Sequence, residues 1–425
     1  MLDIKLIREQ TEQVREALLK RLDAVDFSEL SSWDEARRAA VVTLEAKRNH
    51  RNDVSAKVPA LKKTGADVQP VFLEMKALGS EIKTLETEVA ELEQKIQDFM
   101  VGLPNLPDPD VVPGGKEHNQ ILSTWGKKPE FEFTPKDHVS LLTDLGMVDY
   151  SRGAKLGGSG FWVYRGDGAR LEWALLNYFV ERHIAAGYEF VLPPHLLSPQ
   201  CGYTAGQFPK FADDVFMLEA AGDQERRFLL PTAETALVNL HRDEILSEAE
   251  LPRKYFAYTP CYRKEAGSYR TEERGTIRGH QFNKVELFQY CRPEASGQAL
   301  EEMLAHARSL LEELGLHHQV SKLAARDVSA SMAKTYDIEV WIPSMQQYKE
   351  VSSASNARDY QARRGQIRFR PEGQKKTELV HTLNASGLAT SRLLPAIVEQ
   401  FQRADGSVMV PEVLRKWLGK ASLGS

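Results

Sequence analysis

Nine apolar residues, Val71, Met75, Leu78, Ile82, Leu85, Val89, Leu92, Ile96 and Phe99, advance by alternating steps of four and three. That rhythm lays one stripe along a helix and predicts a seam that a second helix must cover. Upstream, Ala40, Leu44, Val54, Val58 and Leu61 keep the same rhythm, with Lys47 and Arg51 at two seam positions. Lys62-Lys63-Thr64-Gly65-Ala66-Asp67 breaks it, and Pro70 suits a helix start, where its missing N–H does no harm. Two such helices joined by so short a turn predict an antiparallel hairpin over about 33–100, each helix about 45 Å long. Residues 1–30 read as a short helical lead-in.

A free-standing two-helix arm buries little core, so it needs a reason to project. Residues 33–63 carry eight Lys/Arg against four Asp/Glu, and residues 69–100 carry three Lys against seven Asp/Glu. The opposite signs fit cross-helix ion pairs, and they fit equally a basic helix lying on a phosphate backbone. The net charge of −5 over 425 residues excludes a polycation, so any nucleic-acid contact belongs to a local patch. Cys201, Cys261 and Cys291 are far apart and form no CxxC pair, which argues against a disulfide framework and a Cys-rich zinc site. No apolar run reaches the roughly 18 residues of a membrane span. The N-terminus lacks a signal-peptide apolar core, and a cytoplasmic location is expected.

A Pro/Gly-rich stretch from Val101 to Gly115 marks the expected domain boundary, with an N-terminal domain over 1–105 and a second domain over 115–425. In the second, helical patterns at Leu171–Ala185, Gln298–Leu314 and Gly387–Phe401 accompany strand signals at Phe228–Leu230, Tyr255–Tyr262, Lys284–Tyr290, Ile338–Ile342 and Ile367–Arg370. Runs of strands with few alternating βα units favour an antiparallel sheet. There is no P-loop and no strand–GxGxxG–helix unit, so a nucleotide would bind by another route.

Four segments carry chemistry. Thr232 and Glu234, read as an extended pair pointing the same way, have the groups to grip a small polar amine, although such a pair is more often a helix cap. Arg263 and Glu265, read on one strand face, offer a bidentate phosphate clamp and an acceptor for an exocyclic amine. Arg278 adds a cation and Phe282 a flat surface for a base. Glu350 and Ser353 are spaced to ligate Mg²⁺ through oxygen, although a surface strand end is the blander account. Asn384-Ala385-Ser386-Gly387 reads as a polar turn into a helix carrying Arg392, with small residues that admit a close ligand.

All four segments, in this order, resemble those of bacterial-type seryl-tRNA synthetases, class II aminoacyl-tRNA synthetases. The resemblance runs from Met1-Leu2-Asp3-Ile4 to near the C-terminus and includes the helical arm. Gly187 to Pro194, Arg263 to Glu286 and Asn384 to Arg392 resemble the three class motifs. Thr335 to Trp341 and Gln361-Ala362-Arg363-Arg364 resemble strings of the seryl family. The implied fold is α+β: a two-helix coiled-coil arm and a class II catalytic domain built on an antiparallel sheet flanked by helices.

The resemblance implies serine–tRNA ligation, in which seryl-adenylate forms from serine and ATP and the seryl group passes to the 3′ end of tRNA(Ser), with tRNA(Sec) a further candidate. It implies a serine pocket of Thr232, Ala233, Glu234, Glu286, Asn384 and Ser386. The ATP site would comprise Arg263, Lys264, Glu265, Arg278, Gly279, Phe282, Glu350, Val351, Ser352, Ser353 and Arg392. Arg263 and Arg392 would be catalytic, and Glu350 and Ser353 would ligate Mg²⁺. A homodimer meeting at the first motif and a helical arm that binds tRNA are also implied. Arg270, Glu273, Gly279 and Ala354 depart from the family pattern. A paralogue conferring resistance to a seryl-adenylate mimic, or feeding a biosynthetic pathway, is the nearest alternative. A non-catalytic coiled-coil interaction protein would explain the arm alone.

Overall fold

The computed structural model describes residues 1–220, 222, 225–265 and 275–424. The chain divides into two units, Leu2–Leu103, and Pro104–Ser425 together with Met1.

In the first unit, α1 (Ile4–Glu9) and α2 (Thr11–Leu19) lead into α3 (Ser28–Lys63), which turns back as α4 (Gln69–Gly102). The heptad stripe faces the partner helix: Leu78 and Ile82 of α4 and Ala40, Leu44 and Val54 of α3 are buried. At the base, Phe99 packs against Phe27 and Trp33. Buried Asp34 accepts from Arg8 Nε at 2.7 Å and Arg37 Nη2 at 3.1 Å. Burial works against its charge, but the two guanidiniums outweigh it and hold the carboxyl below its ordinary range. Cross-helix pairs do form: Lys47 with Glu81, Arg48 with Glu86 at 2.7 Å and His50 with Glu74 at 3.1 Å. Part of the positive charge of α3 is therefore answered within the hairpin.

The second unit is built on an eight-stranded sheet. In chain order its strands are β1 (Gln120–Trp125), β2 (Glu189–Phe190), β3 (Arg253–Tyr262), β4 (Gln281–Cys291), β5 (His318–Lys322), β6 (Lys334–Ile342), β7 (Gln347–Arg358) and β8 (His381–Ala389). They lie in the order β1-β5-β6-β7-β8-β4-β3-β2, and every pairing is antiparallel except β2 with β3.

Period-two alternation gives the sheet two unlike faces. On β4 and β8, Val285, Leu287, Leu383 and Ala385 point into a core filled from α5 (Asp167–Ala185), α7 (Ser296–Leu314) and α9 (Thr390–Gln400). The intervening Lys284, Glu286, Asn384 and Ser386 face the other side, where they line a cavity. Further along that side, Phe288 and Tyr290 close a smaller core with Ala233 and Leu237 near α6 (Glu234–Leu237) and Ala362 of α8 (Tyr360–Gly365).

Three local expectations are corrected. Thr232 and Glu234 are not on an extended strand: they form the turn and first residue of α6, with Thr232 Oγ1 accepting from Glu234 N at 3.3 Å. Arg263 and Glu265 lie beyond the end of β3, and Glu265 is left-handed at φ 52°. Asn384 to Ala389 is strand, and the helix begins only at Thr390. Small residues read as a turn because the signal for a buried strand is the neighbouring strands, which are distant in sequence.

Candidate active site

A cavity of about 520 Å³ opens on the polar face of the sheet. Its most buried end is made by register. Ser386 of β8 is the cross-strand partner of Glu286 of β4, and Asn384 follows on the same face. Asn384 Nδ2 donates to Glu286 Oε1 at 3.2 Å and to Glu234 Oε2 at 3.4 Å. Its Oδ1 is buried and has no hydrogen-bond partner among the described residues. Lys284 donates to Thr232 Oγ1 at 2.7 Å and is ion-paired with Glu286, while Thr232 Oγ1 stands 3.3 Å from Glu286 Oε2.

Burial and the neighbouring Glu286 push the Glu234 carboxyl up to about 7. Two carboxylates with one lysine leave an excess of negative charge in a small buried space. A cation placed between Glu234 and Glu286 would relieve it, so the pocket suits a small molecule bearing an ammonium and a hydroxyl.

The open end is cationic. The Arg263 guanidinium lies 5.3 Å from the centre of the Phe282 ring, and its Nε donates to Pro231 O at 3.2 Å. Arg392, one turn into α9, donates to Glu350 O at 2.6 Å and to Ile277 O at 3.1 Å. Arg278 donates to Glu265 Oε2 at 2.6 Å, so two residues expected on the nucleotide hold one another. A nucleotide bound through both residues would exchange that ion pair for contacts of its own.

Ser353 Oγ donates to Asp337 Oδ1 at 2.5 Å, its cross-strand partner on β6, and lies 3.3 Å from Glu350 Oε1. Burial and then Glu350 push the Asp337 carboxyl well above its ordinary range. Glu350 and Ser353 present a hard-oxygen pair beside open space, a donor set that fits Mg²⁺ completed by phosphate and water oxygens.

The structure brings Thr232, Glu234, Arg263, Glu265, Arg278, Gly279, Phe282, Glu286, Glu350, Val351, Ser353, Asn384, Ser386 and Arg392 around one cavity. Ala233, Lys264 and Ser352 are not in its lining. Ala233 is packed in the smaller core, Lys264 is exposed, and Ser352 Oγ turns away to donate to Ser386 O at 2.6 Å. Lys284, a lining residue, and Asp337 behind Ser353 fall within segments that resemble the family but had no role assigned from sequence. Their place at the site follows from cross-strand register.

Of the departures, Arg270 and Glu273 lie outside the described residues. Gly279 is accounted for by packing: a Cβ there would fall 2.1 Å from Trp162 Cζ3 and 2.7 Å from Gly160 O. Ala354 is fully buried in the main core.

Comparison with known proteins gives a consistent result. Residues 1–107 match the seryl-tRNA synthetase N-terminal domain, and residues 216–401 match the tRNA synthetase class II core domain (G, H, P, S and T). The chain is 61% identical over 425 residues to a serine–tRNA ligase 2 of Clostridium acetobutylicum, covering 100% of both. It is 45% identical over 421 residues to a serine–tRNA ligase of Desulforapulum autotrophicum, covering 99% of this chain and 98% of that one. It resembles the crystal structure of seryl-tRNA synthetase from Pyrococcus horikoshii complexed with ATP, at a TM-score of 0.93 and 36% identity over 100% of this chain and 99% of the other.

Proposed function

The chain belongs to the seryl-tRNA synthetase family and is an ATP-dependent serine–tRNA ligase, and on that premise we propose that its cavity divides the substrates by charge. The acidic end of Thr232, Glu234, Lys284, Glu286, Asn384 and Ser386 takes serine. The cationic end, with Arg263, Phe282, Arg278 and Arg392, takes ATP. One observation carries this reading: two buried carboxylates, Glu234 and Glu286, open directly into a space bordered by three arginines.

Serine enters with its ammonium at Glu286 and Glu234 and its hydroxyl among the groups that Asn384, Thr232 and Ser386 present. A pocket that pairs with a hydroxyl rejects an analogue lacking it, because the buried partners are left unsatisfied, by up to about 10⁴-fold. Threonine is excluded by size, a weaker filter. Arg263 meets the α-phosphate and Phe282 supports the adenine, with Glu265 at its amine. Arg278 and Arg392 meet the outgoing phosphates.

The serine carboxylate is already ionised, so its attack on the α-phosphorus needs no general base. The new C–O–P bond forms as the bond to pyrophosphate breaks. Arg263 stabilises the charge that builds on the α-phosphoryl oxygens, and Arg278 and Arg392 that on the leaving group. Glu350 and Ser353 would hold Mg²⁺, which supplies further neutralisation of the phosphates when bound. In the second step a hydroxyl of the tRNA's terminal adenosine attacks the seryl carbonyl, and AMP leaves.

The helical hairpin would engage tRNA(Ser), supported by the exposed lysines of its basic helix. Homodimer formation through α5 and β2 is supported by exposed Trp173, Ile184, Phe190 and Leu192. A cytoplasmic setting fits the family; no described helix is long and apolar enough to cross a membrane. The test of the ATP assignment is Arg263→Ala, which should lower serine-dependent ATP–pyrophosphate exchange by about 10²–10³-fold. Near-normal exchange would remove Arg263 from the mechanism.

A further inference from the structure

Gln361 of α8 stands behind the serine pocket and is not in the cavity lining; it is 1% exposed. Its side-chain amide is engaged at both ends. Nε2 donates to Glu234 Oε1 at 2.7 Å and to Ala205 O at 3.1 Å, and Oε1 accepts from Thr382 Oγ1 at 2.7 Å. Turning the amide over would set its oxygen against a carboxylate and a carbonyl, acceptor against acceptor, where no solvent relieves the mismatch. The two acceptors therefore fix which end of the amide faces Glu234, and the Thr382 hydroxyl anchors the other end. With Oε1 held from behind, Glu234 keeps Oε2 for the cavity, beside Asn384 Nδ2.

We propose that Gln361 is a positioning residue for amino-acid selection: anchored behind by Thr382, its amide aims the Glu234 carboxylate into the pocket. The proposal rests on the reading of Glu234 as part of the serine pocket and extends it to a residue that never touches substrate. The charged groups facing Glu234 make the donor consequential. Glu286 on β4 opposes its ionisation, while Lys284 on β4 and Arg263 beyond β3 favour it. Lys284 is already engaged by Glu286 and Thr232. Among the neutral donors to Glu234, the Gln361 amide makes the shorter hydrogen bond, 2.7 Å against 3.4 Å from Asn384, and it directly favours the anion.

Gln361→Met keeps length and volume while removing the donor and the acceptor. Serine-dependent ATP–pyrophosphate exchange with the full-length variant should show a KM for serine raised about tenfold or more, the usual scale for losing a hydrogen bond to a charged group. The KM for ATP should stay within about twofold of the parent, and the serine defect should shrink as pH rises from about 7 to about 8.5, where Glu234 ionises without help. Thr382→Val leaves Oε1 without its donor and the amide less firmly held, and should raise the KM for serine in the same direction by about threefold; it decides the matter alone if Gln361→Met does not fold. Unchanged serine KM in these variants, or parallel rises in both KM values, would overturn the positioning role. Glu234→Gln separates the two levels. If it leaves the KM for serine unchanged, the pocket reading itself falls. If it raises that KM while Gln361→Met and Thr382→Val do not, the pocket stands and the role of Gln361 falls.

Discussion

At the scale of single residues, the site depends on carboxylates kept where water would not place them. Glu172 on α5 is a second case besides Glu234. Its Oε1 accepts from Thr390 Oγ1 at 2.5 Å and Asn283 Nδ2 at 2.7 Å, so one carboxylate joins the strand bearing Phe282 and Glu286 to the helix bearing Arg392. Its Oε2 is buried and without a partner among the described residues, and burial pushes the carboxyl up to about 7. The sign follows from linkage. A carboxyl with a raised folded-state pKa contributes stability that is present at low pH and is lost as pH rises through about 7. Glu172→Gln keeps the acceptor and cannot ionise. It should therefore gain in thermal midpoint over the parent at pH about 8 relative to the comparison at pH about 6. An identical difference at both pH values would show that Glu172 does not titrate in this range.

At the scale of elements, the arm was the most legible part of the chain, because a heptad is a local pattern and both helices carry it. Lys47 and Arg51 looked like defects in the stripe. Lys47 is half-buried and reaches Glu81 on the other helix, so its stem covers the seam while its charge is paired. Lys57, Lys62 and Lys63, near the turn, remain exposed. Changing all three to Glu should lower tRNA charging by about tenfold or more at moderate salt and flatten its salt dependence, with serine activation unchanged. Equal loss in both reactions would mean that the arm serves the catalytic unit instead.

The catalytic sheet was legible in content and not in order. The strands of Tyr255–Tyr262 and Lys284–Tyr290 followed from their apolar alternation. That Ser386 faces Glu286, and Ser353 faces Asp337, depends on pairings between segments far apart in sequence. Gln361 shows the limit most clearly: its string resembles the seryl family, but nothing near it in the chain indicates a hydrogen bond to a carboxylate 127 residues away.

At the scale of the whole molecule, one chain carries both a helical hairpin with exposed lysines and a cavity whose two ends differ in charge. On the second unit, α5 runs from the buried Glu172 to an exposed apolar face, with Trp173 at 55% and Ile184 at 54% exposure. Together with Leu192 at 73%, this is the surface that the proposed homodimer would cover. Trp173→Asp combined with Ile184→Asp should shift the protein from dimer to monomer in light scattering. A parent protein that is monomeric at micromolar concentration would contradict the homodimer.

In the proposed function, Glu234, Glu286, Asn384 and their neighbours select serine for activation on the arginine-lined nucleotide site. The most direct measurement is ATP–pyrophosphate exchange with serine, threonine, alanine and glycine offered separately. Strong exchange with serine, weak exchange with threonine, and alanine and glycine disfavoured by about 10⁴-fold is the predicted outcome. Absence of serine-dependent exchange, or exchange with alanine comparable to serine, would contradict it.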